Sequence, residues 1–179
     1  MRRAVLLLAP ALGLLAACGP GQAASSPDAT TTAGSAAPTS SVAVPDIPPP
    51  ARSASCSFLS SSTVADANGQ HVGSVKVSAA SQSDRVCYFY RPDGGLQMTV
   101  RVYTGDAAVA QALVNQVAPV SSASPASEPT GWTGGYLSTG SGAVYAVAKG
   151  GNAVVAITNQ AQTIKARLVV SDAIGDLGL

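Results

Sequence analysis

The cysteine at position 18 is the residue whose type and surroundings predict a specific chemical modification. It ends an apolar run that covers residues 4–17, and the chain opens with Arg2 and Arg3. A short basic start followed by about 7–15 apolar residues is typical of a secretory signal. The run is too short for a membrane-spanning helix, which needs about 20 apolar residues. A simple signal would end in small residues and a cut, whereas here the small residues run straight into Cys18.

The residues ahead of Cys18, "LAAC" at positions 15–18, resemble the lipobox of bacterial lipoproteins. The resemblance implies that a diacylglycerol is joined to the thiol, that residues 1–17 are removed, and that Cys18 becomes the mature N-terminus. Two or three acyl chains, such as palmitate, anchor firmly because each buried CH₂ contributes about 0.8 kcal/mol. We therefore expect the protein at the extracytoplasmic face of the cell membrane, held through Cys18. The alternative is an ordinary signal peptide with a chance cysteine.

Cys56 and Cys87 are the other two cysteines of the chain. Disulfides persist in exported proteins, so a bond between these two residues is expected. It would close a loop of about 30 residues and stabilise the fold by roughly 3–4 kcal/mol. The alternative is two free buried thiols. Two cysteines and a distant His71 do not make the four-ligand set of a structural metal site, so neither a metal nor a cofactor is predicted.

Catalytic residues are sparse in the sequence. His71 is the single histidine and lies between two glycines in a predicted loop, so any Ser-His-Asp arrangement has to use it. The chain contains no Gly-x-Ser-x-Gly motif of the kind that presents a hydrolase nucleophile. The carboxylates are scattered without the paired spacing that acid–base catalysis uses. These features favour a non-enzymatic protein, with an uncharacterised hydrolase as an alternative.

An aromatic face is the strongest candidate for ligand binding. Alternation along a predicted hairpin puts Tyr88, Tyr90, Arg101 and Tyr103 on one side of two strands, and tyrosine and arginine are enriched at recognition surfaces. Trp132, the only tryptophan, lies in "GWTGGY" and is a second candidate. The alternatives are that a helix or solvent covers the aromatic face and that Trp132 pins its loop to the core.

Charge and composition divide the chain and limit its partners. The formal net charge of the whole chain is +1. Removal of the signal removes Arg2 and Arg3, which leaves eight basic and nine acidic residues and a net charge of −1. Such a chain has no cluster of positive charge that would bind nucleic acid.

Residues 18–55 are dominated by Ala, Ser, Thr and Pro. A segment of this composition buries too little apolar surface to offset the entropy lost on ordering. We predict a signal peptide at 1–17, a lipidated N-terminus with a disordered tether at 18–55, and a globular domain at 56–179.

Local patterns predict the elements of the globular domain. "FLSSSTVADANG" favours a short helix with a hydroxyl cap and a glycine stop, and "SVKVSA" alternates like a strand. "RVCYFYRPDGGLQMTVRVY" predicts a hairpin around Pro-Asp-Gly-Gly, with Tyr90 opposite Gln97 and Phe89 opposite Met98. The predicted core face holds Cys87, Phe89, Leu96, Met98, Val100 and Val102. The opposite face holds Tyr88, Tyr90, Gln97, Thr99, Arg101 and Tyr103.

The second half of the domain continues in the same way. Asp106 caps a predicted helix that runs to Val117, and "VSSASPASEPTGWTGG" reads as a long polar loop. "GAVYAVAKGGNAVVAIT" predicts a second hairpin whose two faces are both apolar, so that both are covered. Residues 166–177 follow the spacing of an amphipathic helix. The order predicts an α+β domain in which helices flank an antiparallel β-sheet.

These segments together resemble one group of actinobacterial envelope lipoproteins, mycobacterial and corynebacterial members included. The resemblance rests on "CSFL", "CYFYRPDGG", "VRVY" and "GAVYAVAKGGNAVVAITNQ" and covers residues 56–179. It implies an uncharacterised domain. Related lipoprotein domains pair a cysteine before the first helix with one on an early strand, and some of them are similar to the Mog1/PsbP fold. The resemblance supplies no catalytic motif.

The leading functional hypothesis is a non-enzymatic binding or accessory domain that engages another envelope protein or a cell-wall component. A carrier for a lipid or another small molecule is an alternative.

Overall fold

The structure is a computed structural model that describes residues 42–79 and 81–179. The predicted signal peptide, the lipidation site Cys18 and most of the predicted tether lie outside the described residues. Within them, no helix has the length and apolar content needed to cross a membrane.

Eight strands and three helices make up the described domain. In chain order they are β1 (Pro50–Ser53), α1 (Ser61–Asn68), β2 (Ser74–Ser78), β3 (Asp84–Tyr90), β4 (Leu96–Thr104), α2 (Ala107–Val117), β5 (Ser124–Ala126), β6 (Thr133–Thr139), β7 (Gly142–Lys149), β8 (Asn152–Thr158) and α3 (Thr163–Leu177). The strands form one open sheet in the order β1-β2-β3-β4-β8-β7-β6-β5. Every neighbouring pair is antiparallel. The predicted α+β class is therefore confirmed.

The caps of the first two helices follow directly from their sequences. The Ser60 side chain accepts a hydrogen bond from the backbone N–H of Thr63, and Gly69 ends α1 in the left-handed conformation. The Asp106 side chain accepts from two backbone N–H groups at the start of α2. Side-chain acceptors satisfy helix N–H groups that lack a partner in the first turn. Both predicted helix starts are thus confirmed.

The central hairpin of β7 and β8 is covered on both faces, as its sequence predicts. Val147 and Val154 pack into the larger core beneath α3. Ala146 and Val155 pack on the other face, against Ala110 and its neighbours in α2. Small and β-branched side chains on both faces of these strands allow helices to approach from both sides.

Cys56 and Cys87 form a disulfide, with their Cα atoms 5.7 Å apart. Cys87 lies on β3 with its side chain toward the larger core, where Phe58 and Phe89 are also buried. The bond therefore fastens the segment before α1 to strand β3, and the predicted pairing is confirmed.

The turn end of the β3–β4 hairpin differs from the predicted register. Phe89 pairs with Met98 as expected, but Tyr90 pairs with Leu96 rather than with Gln97, because an irregularity adds one residue to β4. A single extra residue exchanges the faces of the residues beyond it. Leu96 accordingly leaves the core and is 46% exposed, whereas Gln97 is 1% exposed.

The displaced Gln97 enters a buried polar network. Its Oε1 accepts a hydrogen bond from Asn68 Nδ2 at 3.0 Å, and its Nε2 donates to the His71 carbonyl at 2.9 Å. The Thr158 hydroxyl donates to Asn68 Oδ1 at 2.6 Å. Buried polar groups of this kind are tolerated when they find partners. The network joins α1 to the middle of the sheet.

The globular domain begins earlier than predicted. The predicted tether extends to residue 55, yet Pro50–Ser53 forms strand β1 on the edge of the sheet, paired with β2. Residues 42–49, which we call the N-terminal strap, also contact the sheet: carbonyls of Pro45, Asp46 and Pro48 accept side-chain hydrogen bonds. Because polar contacts hold the strap on the sheet, the apolar pattern of the sequence does not predict that residues 42–49 are ordered there.

The predicted polar loop before Gly135 contains structure of its own. β5 covers Ser124–Ala126, and β6 begins at Thr133. Trp132, between them, is 2% exposed and belongs to the larger core. The tryptophan therefore pins this segment to the core and is not an exposed ligand platform.

Candidate functional site

The predicted aromatic face is not open to solvent. Arg101 is 4% exposed and Tyr88 is 7% exposed. The Arg101 guanidinium donates to the Asp84 carboxylate at 2.8 and 2.6 Å and to the carbonyls of Pro45 and Asp46 at 3.1 Å. The N-terminal strap therefore covers the centre of this face.

The tyrosines of the aromatic face have structural partners. The Tyr88 hydroxyl donates to the Pro48 carbonyl, and burial raises the pKa of Tyr88. The Tyr103 hydroxyl accepts from the Asp106 backbone N–H at 3.2 Å, beside the cap of α2. The Lys76 ammonium lies 5.4 Å from the ring centre of Tyr90. Sequence alternation places these four residues on one face, and the fold uses the polar atoms of Tyr88, Arg101 and Tyr103 for its own contacts.

The catalytic candidate His71 lies on the surface between α1 and β2. Its backbone carbonyl accepts from Gln97. Across residues 42–79 and 81–179, no side-chain hydrogen bond involves its imidazole. The same residues hold no group of three side chains suited to binding a metal ion.

A groove opens where the β5–β6 corner of the sheet meets the first turn of α3. Its volume is about 300 Å³. We call it the tyrosine groove, and its lining consists of Pro125, Ala126, Ser127, Glu128, Tyr136, Tyr145, Thr163, Ile164 and Arg167. Residues from three separate strands and one helix meet here, so the groove exists only in the folded domain.

Two stacked tyrosine rings form the floor of the tyrosine groove. Tyr136 on β6 lies directly opposite Tyr145 on β7, and their ring centres are 6.0 Å apart with an interplanar angle of 12°. The Tyr145 hydroxyl donates to the Glu128 carbonyl at 2.8 Å. Burial raises the pKa of Tyr145, so its hydroxyl stays protonated and keeps this donor role. Tyr145 is only 3% exposed, so the half-buried Tyr136 ring is the one that offers contact surface to the groove.

An ion pair between Glu128 and Arg167 borders the groove. The side chains are 60% and 37% exposed, and a solvent-exposed pair of this kind contributes about 0–1 kcal/mol. Opening the pair therefore costs little. An incoming polar group can take Arg167 as a donor or Glu128 as an acceptor without disturbing the core.

The tyrosine groove has the components of a binding site for a ligand that is part apolar and part polar. The Tyr136 ring and the exposed Ile164 side chain supply apolar contact, and the ion pair supplies directed hydrogen bonds. Pockets that bind ligands commonly combine an apolar lining with a few oriented polar groups. The lining holds a serine and a threonine but no histidine or lysine to activate them.

The sequence did not single out the residues of this groove. The hairpin pattern places Tyr145 on an apolar face. Its partner Tyr136 belongs to β6, whose first three residues fall in the predicted polar loop and whose other residues carry no predicted element. The stretch "TGGYLST" has two glycines where alternating apolar residues would mark a strand. The sequence does hold one sign of this strand: Tyr136 is followed by Leu137 and then by the apolar hairpin.

Comparison with known protein families adds one finding. The model of a domain of unknown function, DUF2020, matches residues 40–179. The chain belongs to the DUF2020 family. The match begins within the segment predicted as tether, just ahead of the N-terminal strap, and so agrees with a DUF2020 domain that starts before β1. No curated protein matches the chain in sequence.

Proposed function

We propose that this DUF2020 protein is a lipid-anchored, extracytoplasmic binding protein whose tyrosine groove engages another component of the cell envelope. The proposal has two parts, an extracytoplasmic location and a binding site. Cys18 and the signal-like residues 1–17 support the location. The actinobacterial lipoprotein resemblance and the Cys56–Cys87 disulfide support the same location, since disulfides persist outside the cytoplasm.

The stacked pair Tyr136–Tyr145 beside the Glu128–Arg167 ion pair is the observation that carries the binding role. Rigid aromatic side chains supply contact area at a low cost in conformational entropy. Arg167 adds a planar donor, the residue type that is enriched with tyrosine at interaction hot spots. A groove of about 300 Å³ accommodates a sugar unit or a few side chains of a partner protein.

Site-specific photo-crosslinking in living cells tests the groove. A photo-reactive amino acid replaces Ile164, which is 43% exposed at the groove. The matched control carries it at Leu96, which is 46% exposed on a different part of the sheet. We expect an envelope component to be captured at position 164 and not at 96. Mass spectrometry identifies the captured species.

A second pair of variants makes the crosslinking result specific. Tyr136→Ala removes one ring of the stack, and Arg167→Gln removes the charge; both should reduce capture at position 164. Equal capture at positions 164 and 96, or none at either, overturns the binding role of the groove.

Membrane anchoring is tested separately by Cys18→Ser, which should move the protein from the membrane fraction to the soluble fraction.

A further inference from the structure

A second cavity lies at the opposite end of the sheet, beside the disulfide. Its volume is about 370 Å³, and its lining includes Arg52, Ser55, Ser57, Phe58 and Arg85. No aspartate or glutamate is among the lining residues. Two guanidinium groups without a carboxylate give this cavity a positive charge that nothing in its wall neutralises.

The strand register explains why the two arginines face the same cavity. Arg52 on β1 is opposite Val77 on β2, and Val77 is opposite Cys87 on β3, so these three side chains share a face. Arg85 precedes Cys87 by two residues and lies on that face as well. Neighbouring strands are about 4.8 Å apart, which brings both long side chains within reach of one small ligand.

Arg52 and Arg85 differ from the other arginines of the described chain. Arg91, Arg101 and Arg167 each form an ion pair with a carboxylate. Within residues 42–79 and 81–179, neither Arg52 nor Arg85 has such a partner.

Arg85 is held in place by packing and not by an acid. Its guanidinium carbon lies 5.5 Å from the ring centre of Phe58, and its Nε is buried without an acceptor among the described residues. Asp84, its neighbour in sequence, is engaged by Arg101 on the other face of the sheet. The terminal nitrogens of Arg85 therefore remain available to a ligand in the cavity.

We propose that this cavity, the arginine pocket, binds a phosphate monoester. Arginine binds phosphate oxygens through paired, charge-assisted hydrogen bonds, and Ser55 and Ser57 add neutral hydroxyl donors in the same wall. A tetrahedral group with three oxygen acceptors suits donors that come from two strands. The volume exceeds that of phosphate itself and leaves room for the group to which the phosphate is esterified.

Calorimetric titration of the full chain with glycerol 3-phosphate, in detergent, tests the arginine pocket. We expect saturable binding that weakens about ten-fold or more in Arg52→Gln and in Arg85→Gln, since each removes a charge-assisted contact. Arg91→Gln is the matched control, because Arg91 pairs with Asp93 at the surface, and its affinity should stay within about two-fold. Acetate should bind more weakly than glycerol 3-phosphate.

Three further measurements make the binding result specific to the arginine pocket. Arg85→Lys retains the positive charge, so it should bind glycerol 3-phosphate more tightly than Arg85→Gln does. Thermal unfolding establishes that each variant is folded. Flotation of Cys18→Ser protein with phosphatidylcholine vesicles containing phosphatidic acid, against phosphatidylcholine alone, reveals whether a lipid headgroup supplies the phosphate. Binding to either source supports the proposal, and the pair distinguishes the two.

The proposal is overturned if neither probe binds, if acetate binds as tightly as glycerol 3-phosphate, or if folded Arg52→Gln and Arg85→Gln bind like the wild type. These outcomes do not bear on the tyrosine groove, which lies at the other end of the sheet.

Discussion

Arg101 shows how one residue selected for its chemistry can serve the fold. Its side chain is 5% exposed, and its partner Asp84 is 14% exposed. Removing one member of a buried ion pair leaves the other charge without compensation, which costs about 3–5 kcal/mol. We expect Arg101→Ala to lower the free energy of unfolding by that amount in urea denaturation.

The Arg91–Asp93 pair provides the control for this prediction. Its side chains are 38% and 63% exposed, so Arg91→Ala should cost less than about 1 kcal/mol. Asp84→Leu combined with Arg101→Met removes both buried charges and should be less destabilising than Arg101→Ala alone. Similar losses for Arg101→Ala and Arg91→Ala would contradict a buried, structural role for Arg101.

The sequence predicts the sheet face on which Tyr88 and Arg101 lie, but it does not predict that the N-terminal strap covers that face. Strand alternation placed Tyr88 and Arg101 on one face because the period of a strand is fixed. Their covering segment was not predictable from apolar pattern, since the strap binds through the carbonyls of Pro45, Asp46 and Pro48. Every residue type carries such a carbonyl, so sequence patterns do not reveal which ones accept.

At the scale of elements, prediction succeeded where apolar spacing was strong and failed where glycine or proline replaced it. α3 and the β7–β8 hairpin follow clear periods and are present. β1 reads Pro-Ala-Arg-Ser and β5 reads Ser-Pro-Ala, and neither contains an apolar alternation. The register change at Gln97 depends on the buried network with Asn68, a contact between residues distant in sequence.

Helix α3 contains a like-charge pair that gives the fold a pH dependence. Asp172 and Asp176 are four residues apart in its last turns, and both side chains are exposed. Partial desolvation and then the neighbouring Asp176 charge raise the pKa of Asp172. A raised carboxyl pKa means that ionisation disfavours the folded state. This contribution to stability is full at low pH and is lost as the pH rises through the raised pKa.

Asp172→Asn tests the effect of that pair. At about pH 7 the variant should be more stable than the wild type by about 0.2–0.5 kcal/mol, the cost of a like-charge pair at this spacing. At about pH 2.5, below the ordinary pKa of an aspartate, Asp172 is protonated in both the folded and the unfolded state, and the difference should vanish. Thermal unfolding at the two pH values measures it. A gain that is equal at both pH values would instead reflect helix propensity.

At the scale of the whole molecule, the two candidate sites lie at opposite ends of one sheet. The tyrosine groove is built on β5, β6 and α3, and the arginine pocket on β1, β2 and β3. The disulfide and the N-terminal strap both act at the β1 end. Of the described residues, the strap is the segment nearest in sequence to Cys18, the proposed lipidation site.

The strap is expected to be part of the stable domain. A chain that begins at residue 50 keeps β1 but loses the carbonyls of Pro45, Asp46 and Pro48. Each net hydrogen bond contributes about 1 kcal/mol, and Arg101 then faces water with only Asp84 as its partner. We expect its free energy of unfolding to fall by about 2–4 kcal/mol relative to a chain that begins at residue 42.

Urea denaturation of the two truncated chains, with the disulfide intact in both, measures this difference. Pro48→Ala in the longer chain keeps the carbonyl that accepts from Tyr88 and should retain most of the stability. The loss on truncation should also shrink in an Arg101→Met, Asp84→Leu background, because the strap then has no guanidinium to bind. Equal stability of the two chains would place the strap outside the folding unit and return the domain boundary to β1.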